Sequence, residues 1–202
     1  NPAKKRDILL GELKKCEALL KMDERNFHAW GYRRWVTSQL RQTSSDASEG
    51  ADAPPQMPLY TDDDEWAFTT SKIQQNFSNY SAWHNRAMLV QKECIAAAQS
   101  TQAEGSETLS GVVKSAAATC QRELDLCTKA FYCDPNDQSA WLYTDFILSS
   151  LQSLAASSEA STPEGRDAYV SAVNHMITCC DELQEVVDEE HLAAKEEEEK
   201  NS

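Results

Sequence analysis

Along most of this chain apolar residues recur at the spacing of a helix face rather than at the alternation of a strand. From Asp7 to Met22, Leu9, Leu13, Cys16 and Leu20 share one face, with Lys and Glu on the other, which predicts an amphipathic helix. Asp23 to Asn26 reads as a turn, and Ala29 to about Gln39 as a partner helix. The pattern resumes at Asp62-Asp63-Asp64-Glu65, acids that oppose the dipole of a new helix. A solvated helix start is the expectation for that run, in preference to a metal site. Trp66, Ile73 and Phe77 carry the apolar side of this helix, and its partner opens at Asn79 and runs through Met88, Leu89 and Ile95. Val112 to Cys133 repeats the pattern through Cys120, Leu124, Cys127 and Phe131, followed by a turn at Asp134 to Asp137 and a partner from Trp141 to Leu154. In the last helix Tyr169, Val173, Met176, Ile177 and Cys180 form the expected inner face, and Glu182 to Lys200 reads as an acidic, fraying end or tail.

The helix pairs share an inner signature. Asn79-Tyr80-Ser81-Ala82-Trp83-His84-Asn85-Arg86 is preceded by Asn26-Phe27-His28-Ala29-Trp30-Gly31-Tyr32-Arg33 and followed by Asp137-Gln138-Ser139-Ala140-Trp141-Leu142-Tyr143-Thr144. Each Trp follows Ala and has Asn or Asp four residues before it and again seven before it, at Asp23, Asn76 and Asp134. Asn26, Asn79 and Asp137 are therefore expected N-caps. Trp30, Trp83 and Trp141 are expected core residues. Arg33 and Arg86, one turn after their Trp, are placed to bond the carbonyls or acids of a neighbouring helix. The third copy has Thr144-Asp145 where the Arg would stand. Units of this kind cannot bury their apolar faces alone and must stack. The expected fold is all-α, a right-handed superhelix of antiparallel helix pairs resembling tetratricopeptide repeats. One repeat domain is expected over 1–202, with repeats around 1–41, 62–98 and 112–154, a terminal helix over 163–190 and an acidic tail over 191–202. The polar, aperiodic stretches 43–58 and 100–110 read as mobile surface insertions.

Composition narrows the function. A formal charge of −14 argues against nucleic acid or an anionic membrane as direct partner. No apolar run approaches the roughly 20 residues of a membrane-spanning helix. Seven Cys form no Cys-x-x-Cys pair and four His are scattered, which favours reduced, buried thiols in the cytoplasm over a disulfide framework or zinc site. There is no Ser/His/Asp set, no phosphate cradle and no carboxylate pair that can be placed across a cleft. The chain starts without Met and nearly inside a helix, as a fragment would. These properties are equally those of a free-standing repeat scaffold that binds other proteins.

Asn-aromatic-x-Ala-Trp-x-x-Arg, recurring on helix pairs, resembles the repeat of protein prenyltransferase α subunits. Arg25 to Arg34, Ser78 to His84 and Asp134 to Trp141 look most like the Rab-modifying, type II geranylgeranyltransferase branch, and the Ser-rich insertions look like its fungal members. The wording Asp137-Gln138-Ser139-Ala140-Trp141 speaks against the α subunit shared by farnesyltransferase and the type I enzyme. The resemblance implies a crescent of helices around a β subunit that holds catalytic zinc and most of the site for geranylgeranyl diphosphate. It also implies a Rab GTPase presented by a Rab escort protein. Phe27, His28, Tyr32, Tyr80, His84 and Asn85 are then the candidate β-facing residues. The Lys that such α subunits place five residues before one Trp has no counterpart, since Arg25, Ser78 and Asn136 stand there. The resemblance therefore assigns this chain neither a catalytic residue nor a metal ligand, and puts the Lys-bearing repeat upstream of residue 1.

Overall fold

The computed structural model describes residues 2–46, 60–100, 106–156 and 163–200. Seven helices account for nearly all of them: α1 Pro2–Met22, α2 Phe27–Asp46, α3 Asp62–Gln75, α4 Tyr80–Ser100, α5 Ser106–Cys133, α6 Gln138–Ala156 and α7 Pro163–Lys200. No strand occurs among the described residues, in accord with the all-α, helix-pair reading. The chain divides into two compact units, Asn1–Leu89 and Val90–Ser202.

In the first unit α1 packs antiparallel to α2. The stripe Leu9, Leu13, Cys16 and Leu20 is buried as its spacing dictates, and Leu9 and Leu13 cluster with Val36, Leu40 and Tyr60. α3 opens with a capping box, in which the Thr61 side chain accepts from the Asp64 amide and Asp64 accepts from the Thr61 amide. The acidic start of α3 is not simply solvated, contrary to the expectation for it. Glu65 is buried, and Asp62 pairs with Arg41 at 2.9 Å. Ile73 is fully buried, whereas Trp66 and Phe77 are only half-buried. The buried residues of α3 are Glu65, Thr69, Lys72 and Ile73, so three of its four inner positions are polar in type and invisible to an apolar stripe.

In the second unit α5 packs antiparallel to α6, and α7 lies against both. Cys120, Leu124, Cys127 and Phe131 of α5 are completely buried, and so, nearly, are Tyr143, Ile147 and Leu151 of α6. The inner face of α7 differs from the expected one: Ala172, Met176 and Cys179 are buried, while Ile177 and Cys180 are exposed and Tyr169 and Val173 half-buried. Small residues set this register. A Cβ on Gly165 would meet the Leu154 carbonyl oxygen at 3.3 Å, so the absence of a side chain there lets α7 begin tight against the end of α6.

Several boundaries also differ from expectation. α7 continues through 191–200, the stretch expected as a tail, because its run of Glu, Ala and Lys has high helix propensity. α2 extends to Asp46, and α5 starts at Ser106 rather than Val112. The expected insertions thus overlap helix at 43–46, at 100 and at 106–110; their remainders, 47–58 and 101–105, lie outside the described residues. Of the thiols expected to be buried, Cys133 and Cys180 are exposed.

Candidate functional site

The repeat signature is a local device built of the same kinds of bond in each copy, with the third cap bonding two residues on rather than three. The residue seven before the Trp opens an Asx turn. Asp23 accepts from the Arg25 amide at 3.2 Å, Asn76 from Ser78 at 2.9 Å and Asp134 from Asn136 at 3.0 Å. The same residue's carbonyl accepts from the amide of the cap: Asn26 to Asp23, Asn79 to Asn76, Asp137 to Asp134. The cap side chain then takes a free amide of the new helix, Ala29 to Asn26 at 2.9 Å, Ala82 to Asn79 at 3.1 Å and Ser139 to Asp137 at 2.7 Å. Finally each indole N–H donates to the carbonyl six residues back. Trp30 reaches Glu24 at 2.8 Å, Trp83 reaches Phe77 at 2.7 Å and Trp141 reaches Pro135 at 2.9 Å. The invariant Ala before each Trp is buried. Sequence spacing shows the caps; the indole lock and the Asx turn it closes over emerge only in the structure, although the Asn or Asp seven before Trp is their signal.

Around this shared device the copies diverge. Arg33 is buried and bidentate on Glu65, Nε to Oε1 at 3.1 Å and Nη2 to Oε2 at 3.0 Å. It also donates to Tyr60 Oη at 2.5 Å and to Glu17 at 3.3 Å, with its guanidinium 3.3 Å from the Phe68 ring centroid. Tyr60 in turn donates to Glu65. Burial and the Glu65 carboxylate together push the Tyr60 phenol well above its ordinary range, against the opposing pull of Arg33. Arg86 instead uses one nitrogen on the Trp66 carbonyl at 3.1 Å and on the hydroxyls of Thr69 at 3.1 Å and Thr70 at 2.7 Å, while its guanidinium lies over the Trp66 ring. Thr144, in the third copy, is buried, and its hydroxyl has no hydrogen-bond partner among the described residues. Tyr143 supplies that pair's polar tie, donating to buried Glu123 at 2.7 Å. Trp141 stacks on Phe131 at 3.7 Å between centroids but is only half-buried.

In the first unit, the start of α2 and the start of α4 enclose a pocket of about 320 Å³ lined by Phe27, Trp30, Arg34, Tyr80, Ser81, His84 and Asn85. The aromatic first residues of both helices are outward, Phe27 70% and Tyr80 54% exposed. Phe27 lies against His28, and Tyr80 stacks on His84. Arg34 donates to Asn85 at 2.9 Å, and Asn85 donates to the Ser81 carbonyl at 2.7 Å. Asn85, grouped by sequence with outward docking residues, is buried; it ties α2 to α4 behind the pocket. Tyr32, another of that group, is stacked with exposed Trp35 and donates to Glu12 at 3.1 Å on the α1 side. Among the described residues no three His, Cys, Asp or Glu side chains converge to hold a metal ion, and no helix is long and apolar enough to cross a membrane.

Locked helix pairs of this kind define a helical-repeat protein whose recurring signature is structural. Residues 9–40, 62–93 and 120–151 each match the protein prenyltransferase alpha subunit repeat, and the chain belongs to that family. It is 39% identical over 137 residues to the geranylgeranyl transferase type-2 subunit alpha of Sus scrofa, covering 68% of this chain and 19% of that protein. The subunits of the same name from Schizosaccharomyces pombe and Candida albicans are both 32% identical, over 139 and 138 residues. Those alignments take in 68% and 64% of this chain and 33% and 35% of the relatives. The chain thus spans between about a fifth and a third of the curated relatives it matches.

Proposed function

We propose that this chain is part of the α subunit of a type II protein geranylgeranyltransferase and acts there as scaffold and docking surface. The complete heterodimer, on this reading, moves a geranylgeranyl group from its diphosphate to C-terminal cysteines of Rab GTPases in the cytoplasm. The zinc that turns the acceptor thiol into a thiolate belongs to the β subunit. No group of donors in the described part of this chain fits that metal. The observation that carries the docking role is the exposed row set out by the repeats. Phe27 and Trp35 on α2, and Tyr80, His84 and Met88 on α4, stay outward while the indole locks fix their helices from behind. Exposed aromatic residues on rigid helices around a pocket are what a stable protein interface uses as anchors. A separate face remains for Rab escort protein.

The test co-expresses the chain with a β subunit, measures association, and assays prenyl transfer to Rab with escort protein. The chain alone transfers no prenyl group. With β it forms a complex of severely impaired activity, relative to full-length α with β. Tyr80→Ala combined with His84→Ala weakens the complex at least tenfold without lowering the unfolding midpoint of the free chain, because both side chains are outward. Transfer by the chain alone, or no association with β, sinks the reading; the latter result is that of a free-standing scaffold.

A further inference from the structure

Two thiols that the repeat signature does not use meet inside the second unit. Cys94, near the end of α4, and Cys120, on α5, bring their sulfurs to 4.0 Å. Ala97 and Ala116 form a buried cluster with Leu154, and Cys94 and Val112 pack against it. Small side chains there let the two helices approach. Repeat packing does not demand a thiol at this point, since the residues eleven after Trp30 and Trp141 are Arg41 and Gln152, where Cys94 stands eleven after Trp83. The pair is also asymmetric. Cys94 is half-buried, whereas Cys120 is completely buried. The contact between the two sulfurs lowers the Cys94 thiol, and the same contact together with burial pushes Cys120 up.

We propose that Cys94 and Cys120 are an oxidisable dithiol, a modification site at which a hydroperoxide converts the contact between α4 and α5 into a disulfide. Cys94 loses its proton to solvent and attacks one peroxide oxygen; the O–O bond breaks, hydroxide leaves, and Cys94 becomes the sulfenic acid. Cys120 then attacks the Cys94 sulfur. The S–S bond forms, the S–O bond breaks, and the departing hydroxide takes the Cys120 proton as water. In sum, two thiols and one hydrogen peroxide give one disulfide and two waters, with both sulfurs oxidised and the peroxide reduced. The sulfurs have to close from 4.0 Å to the bond length of about 2.05 Å. Buried Cys120 is accessible to the sulfenic acid beside it rather than to bulk reagent, which fits it to resolve the reaction. The product closes the loop between α4 and α5, and so restricts the unfolded chain.

The experiment treats the reduced, purified chain with hydrogen peroxide, alkylates remaining thiols in denaturant and maps the peptides. The expected result is an intramolecular peptide crosslinked between Cys94 and Cys120, reversed by dithiothreitol. It should come with a higher unfolding midpoint than the reduced chain. C94S and C120S each abolish the crosslink and C180S leaves it unchanged. Recovery of both residues as free thiols while Cys133 or Cys180 is oxidised overturns the proposal, and so does conversion of Cys94 to sulfinic acid without a crosslink. The wild-type map decides the matter even if a variant fails to fold.

Discussion

The first two copies of the repeat and the third share one turn and one lock, yet they stabilise their helices by opposite means. The first unit buries Arg33, Glu65, Lys72, Asn79, Asn85 and Arg86 among its apolar side chains; in the second, the buried polar groups of the described residues are Thr119, Glu123 and Thr144. Buried charge is tolerated only when it is paired and its remaining donors are satisfied. The first unit meets that condition through Arg33, Glu65, Tyr60 and Glu17, and through Lys72, which donates to the Leu20 carbonyl and to Gln75. The second holds one buried carboxylate, Glu123, which accepts from Tyr143, and fills most of its remaining interior with thiols, Leu and Ile. Replacing the Arg of the signature by Thr144 is part of the same change. The signature therefore specifies how a pair turns, and the residue three after the Trp specifies what the pair is fastened to.

The largest expected effect breaks the charged side of that comparison. Arg33→Met leaves Glu65 and Tyr60 buried without their cation and should destabilise by about 3–5 kcal/mol. Arg33→Met with Glu65→Leu should recover most of the loss. Denaturant unfolding of both variants checks this, and a double variant as unstable as the single one would show that shape, not charge pairing, is what Arg33 supplies. Next comes the contrast between indoles. Trp83→Ala, at a position only 1% exposed, should cost about 3–5 kcal/mol, and Trp141→Ala clearly less because its ring is half in solvent. Equal shifts in unfolding midpoint would mean that the two pairs are packed alike after all.

A smaller effect is read by pH. Tyr60 has its folded pKa raised, mainly by burial, so the folded state favours the neutral phenol. Its stabilisation is complete below the ordinary tyrosine value of about 10 and is lost as pH rises beyond it, when the unfolded chain ionises and the folded chain does not. Tyr132, which donates to Glu182, is pushed up to about 12 by that bond. Ultraviolet titration should find both phenols ionising late, and Glu182→Gln should return Tyr132 toward 10 while leaving Tyr60 unmoved. The smallest change is in the apolar copy: Thr144→Val removes an unpartnered buried hydroxyl and should be neutral or stabilising within about 1 kcal/mol. A loss well beyond that would reveal a partner for Thr144.

What the sequence disclosed follows the range of the interactions. Caps at Asn26, Asn79 and Asp137 are bonds to residues two or three away, and the stripes of α1 and α5 need only helical periodicity, so these were readable. The partner of Arg33 lies thirty-two residues away on another helix, and Glu65 looked like one more solvated acid in an acidic run. The register of α7 is not legible from its large residues, because small ones set it. Gly165 and Ala172 mark the inner face, while Ile177 points outward. Asn85 was misplaced for a related reason: its role as a tie between Arg34 and Ser81 depends on two helices coming together at that point.

The turn device bears on how the chain folds. Asx turn, cap and indole lock in the first copy all close between Asp23 and Trp30, and the later copies close over the same interval. Bonds between residues so near in sequence need almost no loop closure, and chains dominated by such contacts reach their native state quickly. Each hairpin corner can form from its own eight residues before any neighbour is in place. The slower step is then the meeting of distant groups, Arg33 with Glu65 in one unit and Tyr132 with Glu182 in the other, so the corners act as nuclei and the long-range ties as the final consolidation.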